Sequence, residues 1–102
     1  MTKVLVDASI CDCKSTIKAE ILGEKIKISA DSECKMVEDL CNELNDLEIS
    51  SCLAKFSENI VYQKASEILK HAACPIPCAI IKAVEVEADA AAESDVSITF
   101  IK

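Results

Sequence analysis

Residues 16–30 read TIKAEILGEKIKISA and contain two alternating segments separated by a tight turn. Apolar residues occupy every second position on both sides of the turn: Ile17, Ala19 and Ile21 before it, and Ile26, Ile28 and Ala30 after it. This period of two is typical of antiparallel strands with one buried and one solvated face. Leu22-Gly23-Glu24-Lys25 predicts the hairpin turn, and pairing Leu22 with Lys25 places Ile17 opposite Ala30.

The alternation continues on both sides of this hairpin, and helical periodicity lies between. Residues 4–8 predict a first strand and residues 96–100 predict a last one. Residues 47–49 predict a short extended piece, followed by a turn of helix around Cys52. Three helices are expected from Asp31 or Ser32 to about Leu44, from Ser57 to about Ala72, and from Pro75 to about Ala92.

The predicted order of elements is therefore β-β-β-α-α-α-β. A sheet with one apolar face needs a cover, and amphipathic helices supply it. We predict an α+β fold, a two-layer sandwich whose mostly antiparallel four-stranded sheet carries the helices on one face. The length of 102 residues predicts one cysteine-rich domain over residues 1–102.

Composition argues against several classes of partner. The formal net charge is −7, and all eleven basic residues are lysines. Phosphate and base recognition rely on the planar fork of arginine, and three aromatic residues offer few stacking platforms, so nucleic acid is not expected as a partner. No stretch resembles a signal peptide or an 18-residue apolar span, which predicts a cytoplasmic protein without membrane partners.

Seven cysteines are the most unusual feature of the composition. A secreted domain of this size would use them as a disulfide framework, but their number is odd and no export signal is present. Reduced thiols or metal ligands in a reducing compartment fit the sequence better.

The predicted hairpin brings several of these cysteines together. Continuing its register places Cys13 opposite Cys34, at one edge of the sheet, and Cys11 lies two residues before Cys13. Cys34 is expected in the first turn of a helix, where unpaired N–H groups and the helix dipole favour a thiolate. Asp12, between the two loop cysteines, is an alternate ligand.

Further candidates lie at the start of the third helix. Cys74 is expected there, three residues after His71, and both reach the same edge if the last strand runs parallel to the first. Cys41 and Cys52 are expected to pack as small apolar residues, and Cys78 fits a core position as well as a site position. Other side chains have structural interpretations: a solvated helix face for Glu85, Glu87, Asp89 and Glu93, and the core for Phe56 and Tyr62.

Residues 71–88 read HAACPIPCAIIKAVEVEA. With a cysteine-bearing loop after the first strand, this string resembles a small uncharacterised protein family of anaerobic archaea and bacteria. The resemblance covers nearly the whole chain. It implies an anaerobic cytosol and supplies no activity.

The cysteine arrangement is also similar to that of the NifU/IscU iron–sulfur scaffold proteins. That family places one cysteine in a loop before a strand, one at the start of the helix after the sheet, and a His-Cys pair at the start of a late helix. Cys11 or Cys13, Cys34, and His71 with Cys74 stand at the matching positions. The sequence departs from that pattern in lacking the adjacent His-Cys pair, the glycines around the second cysteine and the Gly before the loop Asp.

These observations predict a protein that binds a metal ion or an iron–sulfur cluster. The expected ligands are Cys11, Cys13, Cys34, Cys74 and His71, and the expected cofactor is an iron–sulfur cluster or zinc. Two alternatives stay open: a thiol redox protein that cycles a dithiol and a disulfide, and an interaction domain whose cysteines are incidental. A protein partner for metal or cluster transfer and a homodimer are both compatible with the sequence. One His and no Gly-rich loop argue against hydrolytic catalysis.

Overall fold

One antiparallel sheet forms the scaffold of the chain, which the computed structural model describes over residues 1–8 and 13–102. The strands lie in the order β1-β2-β3-β4, so that each is hydrogen-bonded to the next one along the chain. Their bounds are β1 (Thr2–Ala8), β2 (Cys13–Leu22), β3 (Lys25–Ser32) and β4 (Leu47–Glu48).

The β2–β3 hairpin has the predicted register. Leu22 pairs with Lys25 and Ile17 pairs with Ala30. Gly23 adopts a φ of 69°, a left-handed conformation that glycine reaches without steric cost. The alternating apolar residues form the buried face, and Ile17, Ala19 and Ile26 are fully buried. The predicted hairpin is confirmed because period, turn and face agree.

Within the described residues, four helices cover the sheet and one another. They are α1 (Lys35–Asn42), α2 (Ile49–Cys52), α3 (Ile60–Ile68) and α4 (Ile76–Glu87), with a 3₁₀ turn at Phe56–Glu58. α1 packs on β3, α4 packs on β1 and β2, and α3 lies against both α1 and α4. Their inner faces and the apolar face of the sheet form one hydrophobic core.

The predicted α+β class and four-stranded antiparallel sheet are confirmed, but the predicted order of elements is wrong, because helices and strands are interleaved in the order β-β-β-α-β-α-α-α. The fourth strand is Leu47–Glu48, which pairs with Lys25 and Ile26 of β3. Residues 96–100 form no strand, and Phe100 is 93% exposed. Alternation marks a segment that can form a strand, whereas pairing also needs a neighbouring edge, which this segment does not reach in the monomer.

α4 ends at Glu87, five residues earlier than predicted. Asp89 takes a left-handed φ of 58°, which turns the chain out of the helix. The N–H of Ala90 then donates to the carbonyl of Glu85 over 2.7 Å, and the N–H of Asp89 donates to the carbonyl of Val86 over 3.0 Å. This pair of bonds is the Schellman arrangement that closes a helix.

The cap of α3 is Asn59 instead of the predicted Ser57. Its side-chain oxygen accepts the N–H of Val61 over 2.9 Å, and its amide donates to the carbonyls of Cys52 and Ala54 over 2.7 and 2.9 Å. Asn59 is only 2% exposed. Only an amide can cap the helix and bind two carbonyls together, which a serine hydroxyl cannot do.

The prediction that Phe56 lies in the core is wrong, since its side chain is 75% exposed. It contacts Tyr62 with ring centroids 4.9 Å apart and ring planes inclined by 57°. Tyr62 itself is half-buried. The two rings therefore shield each other on the surface above α3.

Candidate functional site

The β2–β3 ladder ends beside two of the predicted cysteines. Ser15 and Ser32 form its last pair, and their hydroxyl oxygens lie 2.7 Å apart. Cys13 precedes Ser15 by two residues, and Cys34 follows Ser32 by two. The N–H of Cys34 donates to the hydroxyl oxygen of Ser32 over 3.0 Å. The sheet and this bond together hold Cys34 at the edge.

Cys34 is also the residue that precedes the first turn of α1. It has an extended backbone, and its carbonyl accepts the N–H groups of Val37 and Glu38 over 3.1 and 3.3 Å. Its side chain makes no capping hydrogen bond to that helix. The backbone of Cys34 is thus fixed by the helix start.

His71 and Cys74 lie in the turn before α4. The N–H of Cys74 donates to the carbonyl of His71 over 3.1 Å. α4 begins at the edge of the sheet where the predicted cysteines lie and runs back across β1 and β2. Glu87, at the far end of the helix, therefore contacts Thr2 and Ile21. The helix has this direction without a following strand, because packing on β1 and β2 already sets it.

Cys13, Cys34, His71 and Cys74 line one small cavity. Its volume is about 20 Å³, close to the space of a single water molecule. The three cysteines are half-buried and His71 is exposed. The remaining wall is mainly apolar and is formed by Ser15, Met36, Val37, Leu69, Lys70 and Ile76. A cavity of this volume has space for one ion or one water molecule.

The cavity residues are close but do not form a finished metal centre. Over residues 1–8 and 13–102, no three His, Cys, Asp or Glu side chains are close enough together to hold a metal ion. Cys11 and Asp12, the other two predicted ligands, lie outside the described residues.

Comparison with known proteins places the chain in a family. Residues 2–100 match a family of unknown function, DUF6951. The chain belongs to DUF6951. No curated protein and no solved structure matches it. The predicted likeness to an uncharacterised family is supported, whereas the likeness to NifU/IscU proteins and a distribution in anaerobes receive no support from this match.

The other cysteines of this DUF6951 chain fall into two groups. Cys41 and Cys52 are buried in the core as predicted, and burial raises the pKa of each thiol to about 11. Cys78 is exposed on the first turn of α4 and does not line the cavity. The two buried thiols are therefore packing residues, and Cys78 serves as a natural control for the cavity cysteines.

One polar residue of the DUF6951 chain that sequence analysis misplaced is Glu87. Its carboxylate accepts hydrogen bonds from the hydroxyl of Thr2 over 2.8 Å and the N–H of Ile21 over 3.2 Å, and these bonds lower its pKa. Glu87 is thus a tertiary anchor instead of a solvated helix residue. Its spacing of seven residues from the buried Ile80 places it on the inward face of α4, which distinguishes it from Glu85.

In the part of the DUF6951 chain that the structure describes, every helix is too short or too polar to cross a lipid bilayer.

Proposed function

We propose that this protein binds a thiophilic metal ion through Cys13, Cys34 and Cys74, with His71 as a further ligand. The observation that carries the proposal is that these four side chains line the same cavity. Thiolate sulfur and imidazole nitrogen are the ligands preferred by zinc, iron and copper(I). Two of the cysteines come from strand and helix ends fixed by hydrogen bonds, which limits how far they can separate.

The volume of the cavity favours a single ion. About 20 Å³ accommodates one small ion, whereas a cluster of several iron and sulfide ions requires the walls to open. An iron–sulfur cluster is accordingly the second form of this proposal. Lys70, also at the cavity, offsets part of the negative charge that several thiolates would bring together.

Binding would also draw the ligands closer. Since the described residues hold no group of three ligands at metal-binding range, the side chains must rotate towards the ion, or Cys11 must complete the set. Coupling of metal binding to local ordering is common in small thiolate proteins. Cys11 and Asp12 enter the proposal from their sequence positions alone.

The test is anaerobic purification followed by measurement of zinc, iron and acid-labile sulfide per chain, with a visible absorption spectrum. Zinc at about one ion per chain without visible absorption supports a mononuclear site. Iron with sulfide and broad visible absorption supports a cluster. We expect Cys34→Ser and Cys74→Ser to lose most of the metal.

Cys78→Ser is the matched control, because Cys78 lies four residues after Cys74 in the chain but is exposed and outside the cavity. It should retain the metal content of the unsubstituted protein. Circular dichroism shows whether each variant is folded. The proposal is wrong if the protein binds no metal after reconstitution, or if Cys78→Ser loses as much metal as Cys34→Ser.

The β2–β3 register favours thiol redox chemistry as a second candidate function. Cys13 begins β2 and Cys34 follows the end of β3, so the two flank the Ser15–Ser32 pair at the same end of these strands. In a thiol–disulfide exchange, the two thiols would form one S–S bond and pass two electrons and two protons to a disulfide of a partner protein. That disulfide would become two thiols. A reversible Cys13–Cys34 disulfide in metal-free protein, found by mass spectrometry in glutathione buffers, would support it.

Other parts of the functional hypothesis depend on the nature of the site. A metal or cluster site at a sheet edge suits transfer to a protein partner, and half-buried thiols suit a reducing cytoplasm. The similarity to NifU/IscU proteins belongs to the cluster form of the proposal, and only the iron and sulfide measurement bears on it.

A further inference from the structure

The C-terminal segment of the chain and the outer edge of β1 have complementary features. Residues 96–101 read VSITFI, so apolar and hydroxylated residues alternate up to Phe100. The segment nevertheless lies in no strand. Ile98 and Phe100 are 91% and 93% exposed. A segment of this composition in water exposes apolar area and unpaired backbone groups together, which is characteristic of a strand without its sheet.

β1 offers the matching edge. It is the first strand in the sheet order, with β2 on one side and no strand on the other among the described residues. Val4 and Val6 point to the face that α4 covers, and Val6 is buried whereas Val4 is half-buried. A strand beside β1 would extend this apolar face.

We propose that residues 95–101 of one copy add as a strand to the outer edge of β1 in a second copy, and that the two copies exchange these segments reciprocally. The backbone groups of the β1 edge supply the hydrogen bonds, and alternate side chains supply specificity, as in other cases of strand addition. Reciprocal exchange gives a closed two-fold dimer.

Charge selects the direction of pairing. In a parallel alignment with Val96 beside Val4, Ile98 lies beside Val6 and Asp95 lies beside Lys3. An antiparallel alignment with Ile98 beside Val4 instead brings Asp95 to Asp7, and one with Ile98 beside Val6 forms no pair of opposite charges. Opposite charges on neighbouring strands stabilise a pair and like charges destabilise it. The parallel arrangement is therefore the one proposed.

A second copy is favoured over the same chain as the acceptor. After the left-handed turn at Asp89, every residue from 89 to 102 is exposed, so the segment does not pack on the sheet of its own chain. The chain extends 44 Å along its longest axis against 28 and 26 Å along the others. An outward arm of this kind reaches the β1 of a neighbour while its own β1 stays open for the neighbour's arm.

Light scattering coupled to gel filtration tests the proposal on the full chain under reducing conditions, from about 1 to about 100 µM. We expect a dimer whose dissociation constant rises at least about tenfold in Ile98→Asp. Ser97→Asp is the matched control, because it adds the same charge one position away on the opposite face, beside the uncharged Leu5, and it should dimerise more strongly than Ile98→Asp. Both sites are exposed, so neither substitution affects folding of the monomer.

A charge exchange tests the alignment itself. Lys3→Asp and Asp95→Lys should each weaken the dimer, and the double variant should regain at least part of the lost affinity. A chain that stays monomeric over the whole concentration range contradicts the proposal, as does a dimer that Ile98→Asp leaves unchanged. Neither result depends on metal binding, which is measured separately.

Discussion

The carboxylate of Glu87, on the last turn of α4, accepts a hydrogen bond from the hydroxyl of Thr2 at the start of β1 over a distance of 2.8 Å. The same carboxylate accepts the backbone N–H of Ile21 on β2 over 3.2 Å. One side chain therefore ties the end of the longest helix to two neighbouring strands. This contact anchors the last turn of α4, whose packing across β1 and β2 places Cys74 at the opposite end of the sheet.

Glu87→Gln should lower the free energy of unfolding by about 1–2 kcal/mol at neutral pH, because the amide retains one acceptor oxygen for two donors. Chemical denaturation with urea measures this loss. Glu93→Gln, on the exposed segment after α4, is the control and should change stability little. An equal effect of both variants would show that net charge, and not the anchor, is responsible.

The same carboxylate predicts a pH dependence. Its pKa in the folded protein is lower than in the unfolded chain because Thr2 and Ile21 donate to the ionised form. Its contribution to stability is thus complete above the ordinary glutamate pKa and is lost as the pH falls through the lowered folded value. Between neutral and acid pH, Glu87→Gln should lose less stability than the unsubstituted protein, which urea unfolding at several pH values can measure.

Asn59→Asp should destabilise the protein by about 3 kcal/mol, since it removes two donors and places a carboxylate against the carbonyl oxygens of Cys52 and Ala54. Asn45→Asp is a matched control, because Asn45 is exposed and donates to the carbonyl of Asn42. The control should cost less than about 1 kcal/mol. Thermal or urea unfolding of both variants decides the matter, and similar losses would contradict the role given to Asn59.

Asp89→Gly should stabilise the protein by about 1 kcal/mol. A left-handed φ of 58° carries a steric cost for a residue with a Cβ, and glycine at the end of a helix avoids that cost. Urea unfolding of the two proteins gives the difference. Glu93→Gly removes a charge of the same sign in the exposed segment without this backbone change and should not stabilise; stabilisation by both would point to charge.

Cysteine reactivity should follow burial. In native protein at pH 8, iodoacetamide should modify exposed Cys78 quickly and leave Cys41 and Cys52 unmodified until the chain unfolds, because burial raises the pKa of both thiols to about 11. Peptide mapping by mass spectrometry identifies the modified positions. Rapid native labelling of Cys52 would contradict its place in the core.

Those two raised pKa values also predict an alkaline limit to stability. A thiol whose folded pKa is about 11, against an ordinary 9.0, contributes its full stabilisation below pH 9 and loses it as the pH rises to 11. Cys52→Ala should therefore lose less stability between pH 9 and pH 11 than the unsubstituted protein. Unfolding measured by circular dichroism across that range provides the comparison.

Several features of the fold could be predicted from local sequence because local chemistry dictates them. The period of two on both sides of Gly23 predicted which face of β2 and β3 is buried and which residues pair. A slip of one residue in this pairing would turn Ile17 and Ile26 to solvent. The apolar spacing in α1 likewise placed Cys41 in the core. Continuing the same register also predicted that Cys13 and Cys34 lie at one edge of the sheet.

Local period and turn geometry were therefore sufficient to predict the strand faces, the hairpin register and the sheet edge to which Cys13 and Cys34 belong. The packing of distant elements, in contrast, brings His71 and Cys74 to the same cavity, gives Glu87 its hydrogen-bond partners, and leaves residues 96–100 outside the sheet. The physical reason is separation along the chain. Side-chain period and turn geometry act between near neighbours, whereas the partner of a carboxylate or a strand edge depends on how distant elements pack.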